Sequence, residues 1–251
     1  MGNLRWYIDR LKAMNPAEIS WRITQKLGSE HERFRFSSHV PVTKTRFWNT
    51  GRHAHFDFKR LAINFDNNKT LRNSEISLLG PYEYSEYANK WHAGFNTVNE
   101  WPLTQSSKLR YKQRDDIGDA RLNWELNRHH QLTLLAKEYY ISRDNAALYT
   151  FRELFYDWNE NNPFLYGISW TSAMEVAIRA ISQMYALAFL SAAQISDKQL
   201  IDQLETSILN CINYVSLHYC RYSSANNHLL VEMAAIGLAG YAFDNPKWRK
   251  L

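Results

Sequence analysis

The chain has 251 residues, of which 45% are apolar, and its formal net charge at pH 7 is +5. This length can bury a sizeable core, as one large domain or as one domain with an N-terminal extension. Its 9 glycines and 6 prolines are too few for a turn-rich β-sandwich, and no run of lysine and arginine is dense enough for a nucleic-acid-binding surface. The aromatic content of 14% fits thick helix packing, and it also fits rings that stack on sugars.

Two features bear on the cell compartment. Cys211 and Cys220 fall in one predicted helix, about 13 Å apart, which is too far for a disulfide. Free thiols favour a reducing compartment. The first residues carry frequent charges and lack the apolar segment of a signal peptide, and we expect no apolar window of about 18 residues that would span a membrane. The expected location is therefore cytoplasmic, or periplasmic or exported if the native start differs.

The N-terminal third is predicted to be mixed and partly irregular. Helices are predicted over 3–14 and 16–33, and the second starts with Asn15 as cap, Pro16 at the first position and Glu18 three residues after the cap. Residues 34–57 are expected to be irregular. Loops and strand-like pieces such as FKRLAINF (58–65) are expected over 58–118, with a helix near 105–113.

Five long helices are predicted to follow, over 119–141, 144–161, 172–194, 197–221 and 225–242. Ser172 with Glu175 three residues later repeats the capping pattern. Linkers of a few residues require neighbouring helices to be antiparallel. The predicted fold class is therefore all-α, an array of antiparallel α/α hairpins that is closed into a toroid or left as an open solenoid. The predicted division is an extension over 1–90 and a helical domain over 91–251.

Polar side chains gather near the starts of the first, third and fifth of these helices. Alternate helices run parallel, so these three starts should meet at one end of the array. The candidate site residues are Trp124, Glu125 and Arg128 from the first helix, Trp170, Glu175 and Arg179 beside or on the third, and Asn226, Asn227 and His228 at the fifth. The fifth helix has few charges and is expected to be buried, so its polar residues should face a shared pocket.

Simpler explanations remain open for each of these residues. Glu175 and Arg179 have the spacing of an ion pair within one helix, and Glu125 is similarly placed towards Arg128. Asn226 has the character of a helix cap, and a single histidine such as His228 is often a core residue. Glu125 and Glu175 would also suit the paired carboxylates of a glycoside hydrolase.

No cofactor or metal is expected from the sequence. It contains no glycine-rich phosphate loop and no Gly-x-Ser-x-Gly nucleophile motif. The histidines at 53 and 55 and at 129 and 130 lack the His-x-x-x-His spacing of a helical zinc site.

Four segments resemble the N-terminal helical domain of the heparinase II/III-like polysaccharide lyases. They are FNTVNEWP (95–102), DARLNWELNRHHQLTLLAKEYY (119–140), NPFLYGISWTSAMEVAIRA (162–180) and SSANNHLLVEMAAIGLAG (223–240). The combination of Trp-Glu-x-x-Arg, Trp-x-x-x-Met-Glu-x-x-x-Arg and Asn-Asn-His is specific, and the resemblance extends over residues 91–243. The opening LRWYIDRLKAMNPAEISWRI also resembles the leader of members that we associate with surface-polysaccharide gene clusters.

The resemblance implies an incomplete α/α toroid followed by a β-sandwich, and β-elimination on an acidic, uronic-acid polysaccharide. Asn227 and His228 match the family residues that stabilise the substrate carboxylate, and the other candidates would line or brace the cleft. The catalytic tyrosine of the family lies beyond the Asn-Asn-His motif, and the chain stops at Leu251. We therefore expect a chain without that tyrosine and without the β-sandwich, with weak activity or none. The alternative is a non-enzymatic glycan-binding or assembly module of a surface-polysaccharide system, and the sequence leaves the oligomeric state open.

Overall fold

The computed structural model describes residues 9, 12–40, 78–79, 81–112 and 114–251. Most of the helix predicted over 3–14, the segment FKRLAINF and the histidines at 53 and 55 lie outside the described residues. In the described part, α1 spans Pro16–Arg35, two residues longer than expected. The Asn15 side chain accepts the Glu18 N–H at 2.8 Å, and Pro16 occupies the first helical turn, so the predicted cap is confirmed.

The described residues between 78 and 118 form tight loops around a short helix, α2 (Tyr84–Tyr87). The helix predicted near 105–113 is limited to a single 3₁₀ turn, Ser106–Lys108. These loops are packed closely, because a Cβ atom on Gly94 would lie 2.3 Å from the carbonyl oxygen of Ile117. Aromatic side chains fill the space beneath the loops, with Trp91 and Trp101 each 2% exposed.

From residue 120 onwards the chain is mainly helical. The helices are α3 (Ala120–Leu126), α4 (His130–Ser142), α5 (Asn145–Asn161), α6 (Ala173–Ala192), α7 (Lys198–His218) and α8 (Asn227–Ala242). Asp144 and Asp197 cap α5 and α7 with their side chains. The capping pattern predicted at Ser172 is not formed, because its side chain makes no cap hydrogen bond and Glu175 is bonded elsewhere.

The first predicted long helix is divided into α3 and α4. His129 has a left-handed backbone with φ of 63°, which ends one helix and starts the next. The buried Asn127 stabilises this break, since its amide nitrogen donates to the Trp91 carbonyl at 3.1 Å and its side-chain oxygen accepts from Trp158 Nε1 at 2.7 Å. The prediction of one continuous helix over 119–141 is therefore wrong, because the left-handed backbone at His129 interrupts the run of helical hydrogen bonds.

The helices form two layers. The central helix α6 packs against α4, α7 and α8, while α5 packs on α4. The alternate helices α4, α6 and α8 are thus neighbours in one layer. The intervening helices α5 and α7 cover them, as in an α/α toroid. The described part of the chain has the predicted all-α, incomplete toroid architecture. Its core contains completely buried aromatic side chains, among them Phe151, Phe155 and Trp158.

One helix is more apolar than the sequence analysis expected. Among the described residues, α6 alone is long and apolar enough to span a membrane, with a mean hydropathy of 1.3 over an 18-residue window. Within the domain, 72% of that window is buried. A core helix of a soluble domain has the same properties, so this is weak evidence for a membrane span.

Candidate functional site

Arg128 joins two acidic side chains from different helices. Its Nε and Nη2 donate to Glu175 at 2.7 and 3.1 Å, and its Nη1 donates to Glu125. The side chains of Arg128 and Glu175 are 20% and 5% exposed. Burial lowers the pKa of the Arg128 guanidinium, but the hydrogen bonds and charges of Glu175 and Glu125 outweigh it and raise that pKa. Glu125 and Arg128 of the first predicted long helix are therefore brought together here with Glu175 of the third.

Arg179 lies in the core and does not pair with Glu175, so the simpler explanation of an ion pair within one helix is wrong. Its guanidinium contacts two indole rings, 4.6 Å from the Trp158 centroid and 4.8 Å from that of Trp170. Both terminal nitrogens donate to the Ser169 carbonyl, at 3.2 and 3.1 Å. Arg179 is 1% exposed, because it lies on the face of α6 that meets the core. Burial lowers its pKa.

Trp170, a second candidate for substrate contact, is also buried. It is 0% exposed, its Nε1 donates to the Asn162 carbonyl at 3.5 Å, and its own carbonyl accepts the Tyr214 hydroxyl at 2.8 Å. Trp170 and Arg179 therefore stabilise the start of α6 from inside the core. The predicted place of Trp170 among the residues that line or brace the substrate cleft remains a prediction.

Trp124 is placed differently, at the edge of an open cavity of about 730 Å³. Its Nε1 donates to Thr171 Oγ1 at 3.1 Å and to the Ile168 carbonyl at 3.2 Å, which fixes the ring between α3 and the start of α6. Tyr111 packs edge-on against it, with ring centroids 5.4 Å apart. The lining also includes the basic side chains Lys112, Arg114 and Arg121.

Two histidines next to Arg128 were not among the sequence-predicted site residues. His129 is 0% exposed, packs edge-on against Trp158 at 4.5 Å and shares a hydrogen bond of 3.0 Å between its Nδ1 and the Gln183 amide. Burial holds the pKa of His129 well below its usual value, and the charge of Arg179 acts in the same direction. Burial also lowers the pKa of His130. Only the adjacent pair of histidines in the sequence gave a signal for this cluster.

The Asn226–His228 turn lies at the surface. Asn226 caps α8 by accepting the His228 N–H at 2.8 Å, which confirms the simpler explanation for that residue. Asn226 and Asn227 are exposed and His228 is half-buried, while Leu230 is 73% exposed. The expectation that this helix is buried from its start is therefore wrong, because its first turn stands at the end of the array.

Cys220, His228 and Glu232 form a group that could in principle hold a metal. Their ligand atoms lie within 4.8 Å of one another, and these are ligand types that zinc prefers. The Glu232 carboxylate, however, already accepts the Cys220 N–H at 2.7 Å and the thiol at 3.6 Å. Burial, together with the charge and hydrogen bond of Glu232, raises the pKa of the Cys220 thiol to about 11. The bonded thiol and carboxylate explain the group without an ion, and the absence of a metal stays a prediction.

Apart from Trp170 and Arg179, which lie in the core, the contacts divide the described candidates into two sets. Glu125, Arg128 and Glu175 form one hydrogen-bonded cluster, with Trp124 beside it on α3. The Asn226–His228 turn instead follows a connection in which the Cys220 N–H donates to Glu232 and the Ser223 hydroxyl donates to Glu18 of α1. The shared pocket between the two sets remains a prediction.

The family model described as Heparinase II/III N-terminus matches residues 55–250. A solved structure of a heparinase III, with methylated lysines, is 21% identical in sequence with a TM-score of 0.44. That similarity covers 77% of this chain and 34% of the heparinase III chain, so this chain spans about a third of its length. A comparison with curated proteins gives no match.

Proposed function

Because the chain belongs to the heparinase II/III N-terminus family, we propose that it binds an acidic, uronic-acid polysaccharide and supplies the carboxylate-binding half of a β-eliminating lyase. The observation that carries this proposal is that the Asn226–His228 turn has a fixed backbone and two side chains that are open to a ligand. Asn226 is used as the helix cap, which fixes the backbone of the turn. In the described part of the chain, no hydrogen bond engages the Asn227 amide or the His228 ring, and both side chains reach the surface.

The chemistry of β-elimination explains why such groups are needed. The proton to be removed lies on the carbon next to the uronate carboxylate, and negative charge builds on that carboxylate as the proton leaves. Hydrogen-bond donors aimed at this charge stabilise the transition state. The Asn227 amide and an N–H group of His228 are donors of this kind, and the other imidazole nitrogen can accept a proton. The reaction further needs a proton donor for the leaving oxygen, and we assign no residue to that step.

The open cavity beside Trp124 favours a polymer over a small molecule as the ligand. Trp124 and Tyr111 line it, and Lys112 adds an exposed positive charge. Rings and cations of this kind suit a chain of acidic sugars. The Glu125–Arg128–Glu175 cluster would then brace the wall from which Trp124 projects.

The same cluster argues against a glycoside hydrolase. That reaction needs one carboxyl group as an acid and another as a free base or nucleophile. Arg128 is bonded to both Glu125 and Glu175, so both carboxylates are already engaged by one cation. Release of saturated reducing ends from a uronic-acid polymer would favour the hydrolase in spite of this geometry.

The test is to measure binding of a uronic-acid polymer and of the same polymer with its carboxyl groups reduced. Asn227→Ala and His228→Ala should each weaken binding of the carboxylated polymer by about tenfold, the loss expected for a charged hydrogen bond, and should leave binding of the reduced polymer nearly unchanged. Asn145→Ala is a matched control, because Asn145 is also an exposed asparagine that directly follows a helix cap. Equal losses for both polymers would show that the two residues act structurally.

A second assay separates the lyase from the glycan-binding alternative. β-Elimination leaves a C4–C5 double bond that absorbs ultraviolet light, so growth of this absorbance with a uronic-acid polymer supports the lyase. Carboxylate-dependent binding without that absorbance supports the non-enzymatic module.

A further inference from the structure

The N-terminal helix α1 lies outside the residues matched by the family model, yet it contacts the connection that leads into the Asn226–His228 turn. The Ser223 hydroxyl donates to Glu18 Oε1 at 2.5 Å. Arg22 Nη2 donates to the hydroxyls of Ser223 and Ser224 at 3.0 and 3.3 Å, and it is also paired with Glu18 at 2.8 Å. Ser223 and Ser224 belong to a 3₁₀ turn that ends three residues before Asn227.

Aromatic and cationic side chains extend this contact. The rings of Trp21 and Tyr219 lie 5.4 Å apart, and the Arg221 guanidinium lies 5.0 Å from the Trp21 ring and 5.1 Å from the Tyr219 ring. Near the other end of α1, the Glu32 carboxylate lies 2.8 Å from His218 Nε2 at the last residue of α7. Helix α1 therefore meets residues on both sides of the end of α7.

The same connection is held from the opposite side by α8. Glu232 is 0% exposed, and its carboxylate accepts the Cys220 N–H. Between these two anchors Tyr222 has a φ of 54°, a backbone conformation that residues other than glycine and asparagine adopt at a cost. Contacts on both sides are what keep such a residue in place.

From these contacts we infer that α1 is a positioning element for the proposed glycan site, with Glu18 and Arg22 acting on Asn227 and His228 through the 222–224 turn. The site is then shared between the family domain and a helix that the family model does not cover. The role of the turn in glycan binding rests on the proposed function, but the control of the turn by α1 does not.

The experiment is hydrogen exchange on Glu18→Gln, Ser223→Ala and the double variant. Glu18→Gln and Ser223→Ala should each raise exchange of residues 219–228 by about tenfold, and exchange in α6 should stay as in the wild type. Because both changes act on the same hydrogen bond, which Glu18→Gln weakens and Ser223→Ala removes, the double variant should exchange no faster than Ser223→Ala alone. The control is Glu30→Gln, since Glu30 is an exposed acid on the same helix that pairs with Arg33 three residues away.

Exchange rates in 219–228 that match those of Glu30→Gln would overturn the inference. A uniform rise over the whole domain would also overturn it, because α1 would then stabilise the fold and not the turn.

Binding of the uronic-acid polymer gives a second, separate result. If α1 positions Asn227 and His228, Glu18→Gln should weaken binding of the carboxylated polymer more than binding of the carboxyl-reduced one, while Glu30→Gln changes neither. A wild-type chain that binds neither polymer contradicts the proposed function, and the exchange pattern still decides whether α1 controls the turn.

Discussion

Arg128 and Glu175 form an ion pair with two hydrogen bonds, from Nε at 2.7 Å and from Nη2 at 3.1 Å. The pair ties the break between α3 and α4 to the first turn of α6. Two parallel bonds fix the plane of the guanidinium as well as its position. This pair, and not the helical spacing of Glu175 and Arg179, orders the polar end of the array.

Glu175→Gln should destabilise the domain by about 1–3 kcal/mol, because it leaves a largely buried guanidinium with a weaker partner. Glu125 still neutralises part of the charge, which keeps the loss below that of an isolated buried pair. Urea unfolding followed by circular dichroism measures the change. The exposed pair of Glu30 and Arg33 provides the control, since Glu30→Gln should cost about 0.5 kcal/mol or less. Equal effects of the two substitutions would contradict a structural role for the Arg128 pair.

Acid should destabilise the domain through His129. Its pKa is held well below the usual 6.5 in the folded chain, so below that pH the unfolded chain binds a proton that the folded chain does not. The contribution of His129 to the free energy of unfolding is therefore complete above pH 6.5. It is lost as the pH falls, by up to about 1.4 kcal/mol per pH unit. His129→Asn keeps a residue type that tolerates the left-handed backbone.

The His129→Asn variant should lose stability less steeply between pH 6.5 and 5 than the wild type, whatever its stability at pH 7. Urea unfolding at a series of pH values gives both slopes. His130 is unchanged in both proteins, so its own lowered pKa cancels in the comparison. Parallel curves would mean that the buried ring takes up a proton in the folded state.

Arg179→Lys should be more destabilising than Arg179→Met. A planar guanidinium contacts both the Trp158 and the Trp170 ring and donates twice to the Ser169 carbonyl, whereas an ammonium is more strongly hydrated and has no flat face to pack on a ring. Methionine keeps apolar volume and removes the buried charge altogether. We expect the lysine variant to lose about 1–2 kcal/mol more, measured from urea midpoints. The reverse order would mean that a positive charge at this place is itself required.

Cys220 should react slowly with iodoacetamide at pH 8.5, and Glu232→Gln should speed the reaction about threefold to tenfold. The reactive species is the thiolate, and a pKa of about 11 leaves little of it at that pH. Glutamine removes the negative charge and weakens the hydrogen bond, so the pKa should fall towards its ordinary value. Mass spectrometry of the labelled peptide follows Cys220 separately from the buried Cys211, and Cys220→Ser provides the blank. An unchanged rate would show that burial alone sets the thiol pKa.

The sequence by itself determined the helical architecture. Apolar residues at helical spacing and the Asn15–Pro16 start of α1 are local signals, and the structure confirms them. The specific motifs also identified the family, because Trp-Glu-x-x-Arg and Asn-Asn-His are read directly from the chain. Short-range physics is enough for these conclusions, since a cap or a periodic face depends on residues within a few positions.

Only the tertiary structure decided which polar residues meet. Glu175 is four residues from Arg179 and 47 from Arg128, yet it bonds to Arg128. The reason is that the break at His129 turns the Arg128 side chain towards α6. Likewise, Glu18 reaches Ser223 across 205 residues. Such pairs depend on how α1, α6 and the connection after α7 pack in three dimensions. The spacing of residues along a helix carries no information about that packing.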